Sequence, residues 1–176
     1  FIKIAAREYL KYLNCMNINR EQLKDNFITL AIKPIIRDCS KSLKTEKHCE
    51  IINALFNNNT SVFNVDVMNE LIVNTESNLS YPVLQDILFN LGLEKGSYEL
   101  KANYIKDELL EKRNAIAHGE LIEIKSQITN TNSEQRKNEF EKLHMEMIAL
   151  MEKFKEQILD SAINQLYLKE SNVNEV

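Results

Sequence analysis

From Phe140 to Leu166, large apolar residues and one alanine recur every three or four positions: Phe140, Leu143, Met147, Leu150, Phe154, Ile158, Ala162 and Leu166. Of the regular structures, an α-helix is the one that keeps a stripe of this period on a single face. The segment therefore predicts a long C-terminal helix whose stripe must be covered, as core or as a dimer surface. Composition extends the argument to the whole chain. Only three Gly and two Pro occur among 176 residues, with no Trp and with many Leu, Ile, Lys, Glu and Asn. So few helix breakers predict an all-α protein. The length suits one domain, taken as residues 1–170 with a tail at 171–176, able to bury about 70% of its unfolded surface.

Upstream, Phe1, Ala5, Tyr9 and Tyr12 or Leu13 fall on one helical stripe with no capping residue before them, so the chain is expected to begin in mid-helix. Asn19-x-x-Gln22 resembles a capping box opening a second helix, with Leu23, Phe27, Leu30 and Ala31 inward and Pro34 kinking or ending it. Thr45 is the expected cap of a helix through Phe56, followed by a loop at Asn57-Asn58-Asn59-Thr60. Residues 61–79 predict at most a short helix after Asp66. Ser80 caps the next helix, with Pro82 in its first turn, Val83, Ile87, Leu88 and Leu91 as its stripe, and Gly92 as its end. A further helix over 101–118 carries Tyr104, Ile105, Leu109 and Ile116 or Ala117, with Gly119 at its C′ position. A polar loop over roughly 124–135 leads to the last helix.

Charge and cysteine usage narrow the classes. The formal charge is −4, which argues against coating nucleic acid by bulk electrostatics but allows a small basic site. No apolar run nears the ~20 residues a membrane helix needs, and no signal peptide is visible. Cys15, Cys39 and Cys49 are odd in number and never spaced C-x-x-C. They read as reduced thiols of a cytoplasmic protein, a zinc site with His48 being the poorer reading. No Asp, Glu and His cluster has metal-ligand spacing, so neither metal nor cofactor is expected. The 21 Asn are spread along the chain, so an isolated Asn says little.

One string carries chemistry: Lys112-Arg113-Asn114-Ala-Ile-Ala-His118-Gly119-Glu120. Arg holds the charge of a reacting phosphate and His moves a proton near neutral pH. The pair suits phosphodiester cleavage without a metal. On an ideal helix positions 113 and 118 lie about 140° apart, whereas 114 and 118 share a face. Either the helix unwinds at Gly119, or a second subunit brings its own motif across a two-fold axis. The latter predicts a homodimer.

The Arg113-Asn114-x-x-x-His118 element resembles the R-x4-6-H motif of the HEPN superfamily, in which a polar residue often follows the Arg. The likeness extends through Thr75–Ser80, Val83–Leu93, Arg113–Glu120 and Leu143-His-x-x-Met through Phe154 to Tyr167-Leu168, in the manner of the MAE-type branch close to RiboL-PSP-HEPN proteins. This resemblance implies a HEPN-like antiparallel helical bundle and a metal-independent endoribonuclease acting on single-stranded or loop RNA, in a toxin–antitoxin or phage-defence role. It implies Arg113, Asn114 and His118 as catalytic residues, with Glu120 and Lys112 in support, and an antitoxin or defence-system protein as partner. The other reading is a HEPN-like domain without catalysis that binds RNA, nucleotide or a partner. A HEPN toxin branch carries R-x4-H-x-Tyr, whose Tyr is modified by a nucleotidyltransferase antitoxin; Glu120 stands there in this chain, so that control does not carry over.

Bland readings stand beside these. Without the resemblance, Arg113 is a surface cation near Glu111 and His118 a cation near a helix C-terminus. Lys112-Arg113 is too short for a basic patch. His48 and His144 read as packing or surface residues. Tyr98 and Tyr104 can stack on bases but suit a core better.

Overall fold

The computed structural model describes residues 1–57, 61–76, 79–101 and 133–169. Five α-helices lie within them: α1 (Ile2–Cys15), α2 (Asp25–Ser40), α3 (Thr45–Ile52), α4 (Tyr81–Asn90) and α5 (Ser133–Ile163). Among the described residues there is no strand, only two isolated bridges. The all-α expectation holds, with the long C-terminal helix in place.

One apolar cluster gathers side chains from Ile2 to Tyr167. At its centre Tyr9, Phe27 and Phe63 meet edge to face, with ring centroids 6.4 and 6.1 Å apart. Such pairs add to the burial of their area. On α1 the buried positions are Ile2, Ala6, Tyr9, Leu10 and Leu13. Phe1 and Tyr12 are exposed instead, so the predicted stripe is rotated at its start. Ile2 is as apolar as Phe1, and it takes the inward position.

The Asn19–Gln22 pairing exists, but on a 3-10 turn, Arg20–Gln22, rather than at the start of α2. The Asn19 N–H donates to Gln22 Oε1 at 3.3 Å. This turn lets residues 18–24 pair on two sides. The Phe63 N–H reaches the Ile18 carbonyl at 2.8 Å, and the Lys24 N–H reaches the Tyr167 carbonyl at 3.0 Å. Pro34 sits inside α2, which continues to Ser40. It therefore does not end the helix: a proline removes one intrahelical donor, and the packing of Phe27, Leu30 and Ile32 outweighs that loss.

Lys44, not Thr45, occupies the cap position of α3, and the chain continues as a π turn over Asn53–Asn57. None of the eight residues of α3 is buried. It leans on α2, where the Cys39 thiol lies 3.8 Å from Glu50 Oε2. Burial pushes the Cys39 thiol up from its ordinary value. Of the three free cysteines, Cys39 is buried while Cys15 and Cys49 are exposed.

Residues 61–76 hold no helix, which lies within the bound of at most a short one after Asp66. Phe63, Val65 and Val67 are buried while Asn64 and Asp66 face out, an alternation of period two. This segment crosses the core as extended chain. Beyond the bond from Phe63 to Ile18, the backbone polar groups of Val65 find a side chain: Asn14 Nδ2 donates to the Val65 carbonyl at 2.9 Å, and the Val65 N–H donates to Asn14 Oδ1 at 3.1 Å. Beyond it, Lys3 Nζ lies 2.8 Å and Arg7 Nη2 3.4 Å from Glu70. The bond from Lys3 holds the Glu70 carboxyl below the usual carboxylate range.

Ser80 occupies the cap position of α4, with Pro82 in the first turn, as the sequence predicts. Just past its end stands Gly92, whose φ is +66°. The Leu93 N–H bonds to the Leu88 carbonyl at 2.8 Å and the Gly92 N–H to that of Phe89 at 3.0 Å, a Schellman closure. A Cβ on Gly92 would stand 3.3 Å from both Asn26 Nδ2 and Phe27 Cε2. Asn26 also donates to the Asn90 carbonyl at 3.0 Å, so α2 caps the end of α4.

Helix α5 stops at Ile163, short of Leu166. Gln165 adopts φ +53°, and the Leu166 N–H reaches back to the Ser161 carbonyl at 3.0 Å. The turn leaves Leu166 exposed and swings Tyr167 into the core. Within the stripe Phe154 is fully buried, and Leu150, Ile158 and Ala162 pack against the cluster. Met147 is exposed, and the side chain of Phe140 lies outside those described.

Tyr9 donates to or accepts from the Ser161 hydroxyl at 2.7 Å, joining α1 to α5. Burial pushes its phenol up to about 12. Burial and the Tyr12 hydroxyl do the same for Tyr167, also to about 12. A phenol whose folded value lies above its unfolded one stabilises the fold fully below the unfolded value, near 10, and loses that contribution as pH rises through the folded value. For Tyr9 the contribution is about 2–3 kcal/mol. Urea midpoints should therefore hold level up to about pH 10 and then fall steeply towards pH 12. Tyr9→Phe should lower stability at neutral pH, through the orphaned Ser161 hydroxyl, and make the alkaline fall shallower. An equally steep fall in that variant would remove Tyr9 from this account.

Candidate functional site

Arg113, Asn114 and His118, with Lys112 and Glu120, all fall between residues 102 and 132, outside the described residues. The same is true of Tyr104, Ile105, Leu109, Ile116, Ala117 and Gly119 of the predicted motif helix. The described residues supply what flanks this span on either side: the chain up to Lys101, and α5 from Ser133.

The approach is firmly built. After Gly92 the chain forms a 3-10 turn over Gly96–Lys101. Glu94 opens it, accepting the Ser97 N–H at 3.1 Å on each carboxylate oxygen. The Ser97 hydroxyl and its N–H hold this carboxyl below the usual range. Tyr98 is fully buried, which makes it a core residue rather than a base-stacking one. Burial, with Glu94 nearby, raises its phenol well above the ordinary value.

Helix α5 grips this turn with two side chains one turn apart. Lys153 Nζ donates to the Ser97 carbonyl at 2.8 Å and lies 5.3 Å from the centre of the Tyr98 ring. Gln157 accepts from the Tyr98 hydroxyl at 3.1 Å and donates to the Glu94 carbonyl at 3.3 Å. The sequence reading gives Glu94, Ser97, Lys153 and Gln157 no role, and prefers a core place for Tyr98. Their signal is a carboxylate three positions before Ser97, the spacing at which an acidic side chain caps a short helix.

Elsewhere, His144 is exposed, and His48 is exposed with Nε2 2.7 Å from the Ser42 carbonyl oxygen. A pocket of about 340 Å³ lies between α2, the 70–76 segment and α4, with Leu71, Ile72, Pro82 and Val83 as its apolar part. Glu70, Glu76 and Asp86 border it against Lys33 alone. Of these carboxylates Glu70 is already held by Lys3 and Arg7. No described helix is long and apolar enough to cross a membrane.

Comparison with curated proteins and with solved structures gives no match. The RiboL-PSP-HEPN family matches over residues 1–160. That span runs from α1 into the last turns of α5 and contains the whole string from Lys112 to Glu120. With nine-tenths of its length matched, the chain belongs to the RiboL-PSP-HEPN family.

Proposed function

We propose that this protein is a metal-independent endoribonuclease that cuts single-stranded or loop RNA, serving in a toxin–antitoxin or phage-defence system. The reading rests on the intact Arg113-Asn114-x-x-x-His118 string inside a chain matched to a HEPN family over residues 1–160. The 2′-hydroxyl oxygen of one nucleotide attacks the adjacent phosphorus, and the bond to the 5′-oxygen of the next breaks. His118 takes the proton from the 2′-hydroxyl or gives one to the departing 5′-oxygen. Arg113 holds the non-bridging oxygens as negative charge grows on them. Asn114 orients the imidazole or a phosphate oxygen, and Glu120 and Lys112 tune the surroundings. The products are a 2′,3′-cyclic phosphate and a 5′-hydroxyl.

The 140° offset on an ideal helix makes a two-fold homodimer the working unit, with a pocket holding two Arg and two His. Setting is cytoplasmic, and an antitoxin or defence-system protein is the regulating partner. Incubating the purified protein with RNA in excess EDTA should give cleavage with cyclic-phosphate and 5′-hydroxyl ends. Activity that disappears in EDTA and returns with Mg²⁺ sinks this mechanism. Tight RNA binding without any cleavage favours a non-catalytic HEPN domain.

A further inference from the structure

The α2–α3 hairpin carries an excess of basic residues on an acidic chain. Five Lys or Arg and three Asp or Glu lie between residues 33 and 50, although acidic residues outnumber basic ones 26 to 22 overall. Arg37 is spent on Asp38, and Lys47 on Glu50. Lys41 and Lys44 are exposed, and neither ammonium is in an ion pair with a described residue. His48 stands one helical turn beyond Lys44, its ring fixed by the Ser42 carbonyl.

The same hairpin shows apolar groups to solvent. Leu43 at its tip is 100% exposed, Ile52 53% and Phe56 74%. Lys44, His48, Ile52 and Phe56 follow one another at intervals of four, so they form a single ridge along α3 and its π extension. About 18 Å of helix separates its basic start from its aromatic end.

We infer that this ridge is a second RNA-contact surface, with Lys41, Lys44 and His48 on backbone phosphates and Phe56 stacked on an unpaired base. Charge complementarity selects a polyanion over a neutral or basic partner. An aromatic beside cations suits single-stranded nucleic acid, whose bases offer a face to any ring. The reading of the chain as an enzyme acting on RNA selects a single-stranded RNA over an anionic lipid surface. The inference rests on the reading of the chain as an enzyme that acts on RNA, and it places part of the substrate's grip away from Arg113 and His118 in sequence.

The test uses the full chain and a fluorescein-labelled single-stranded 2′-O-methyl RNA of mixed sequence, which has no free 2′-hydroxyl and so cannot be cut by this chemistry. Fluorescence anisotropy over a salt series compares wild type, Lys41→Glu/Lys44→Glu and Phe56→Ala. The double variant should bind at least tenfold more weakly, and its log Kd should depend less steeply on log salt by about 1.4, as for two lost phosphate contacts. Phe56→Ala should weaken binding at least fivefold, the lower end for one stacked base. Thermal unfolding should not change, since all three side chains are exposed. Equal RNA affinity for all three proteins overturns the inference. So does a loss confined to phosphatidylserine vesicles, which would assign the ridge to a membrane. Cleavage of ordinary RNA in EDTA, measured alongside, separates the two claims. Cleavage with ridge-independent binding refutes the ridge alone, while ridge-dependent binding without cleavage refutes the nuclease alone.

Discussion

Replacing His118 with Ala should abolish RNA cleavage and leave the unfolding temperature within about 1–2 °C of wild type, the shift expected where a side chain serves chemistry rather than packing. Removing a general acid–base typically slows a reaction by 10²–10⁴-fold, and removing a donor to the developing charge by about 10²–10³-fold. Arg113→Ala should therefore be as silent as His118→Ala in a gel assay while also remaining folded. The two variants can then be combined. If the dimer builds each half-site from one chain's Arg and the other's His, a mixed dimer of the two variants keeps one complete half-site. It should recover partial activity after subunit exchange. Two dead homodimers that stay dead after verified exchange argue against that division, though not against a pocket needing all four groups. A monomer cleaving at full rate refutes the composite site outright. Unfolding of His118→Ala would make the histidine structural and return the motif to its bland reading.

Phe154→Ala should act through stability instead. Phe154 is fully buried on α5 and belongs to the cluster that runs from Ile2 to Tyr167. Truncating such a ring costs about 3–5 kcal/mol, from lost burial and the cavity left behind. For a chain of this size the unfolding temperature should drop by about 10 °C or more. Lys155→Ala, next to it in sequence but exposed and paired with Glu152, should change stability by less than about 0.5 kcal/mol. A similar loss in both variants would mean that α5 is held by its surface rather than by its stripe.

The sequence was most legible where local chemistry decides. Ser80, Pro82 and Gly92 mark the two ends of α4, because a cap, a first-turn proline and a left-handed glycine are each set by neighbouring backbone. It was least legible where tertiary contacts decide. Phe63, Val65 and Val67 alternate, yet an extended segment of that length inside a helical chain has no partner strand to announce it. Gln165 turns the end of α5 through a left-handed conformation without a glycine to flag it. Ile2 replaces Phe1 on the inner face because both are apolar and packing chooses between them. Pro34 is tolerated because its neighbours bury enough surface to hold the helix. The chemistry of the site was legible as a string, Arg113 to Glu120, since residue type and spacing carry it. The relative placement of those side chains depends on how residues 102–132 meet each other and, in the proposed dimer, a second chain, which spacing alone does not fix.

The paired bonds between the Asn14 amide and Val65 bear on how this family member can drift in sequence. They recognise the peptide unit at position 65 and not its side chain. A single asparagine thus acts as a template one residue long, holding the alignment of the crossing segment whatever apolar residue stands at 63, 65 or 67. The burden of specificity shifts from many interchangeable positions to one that is not: aspartate lacks the donor, and glutamine has the wrong reach. Among relatives, variety along the segment and constancy at position 14 are what this arrangement leads one to expect.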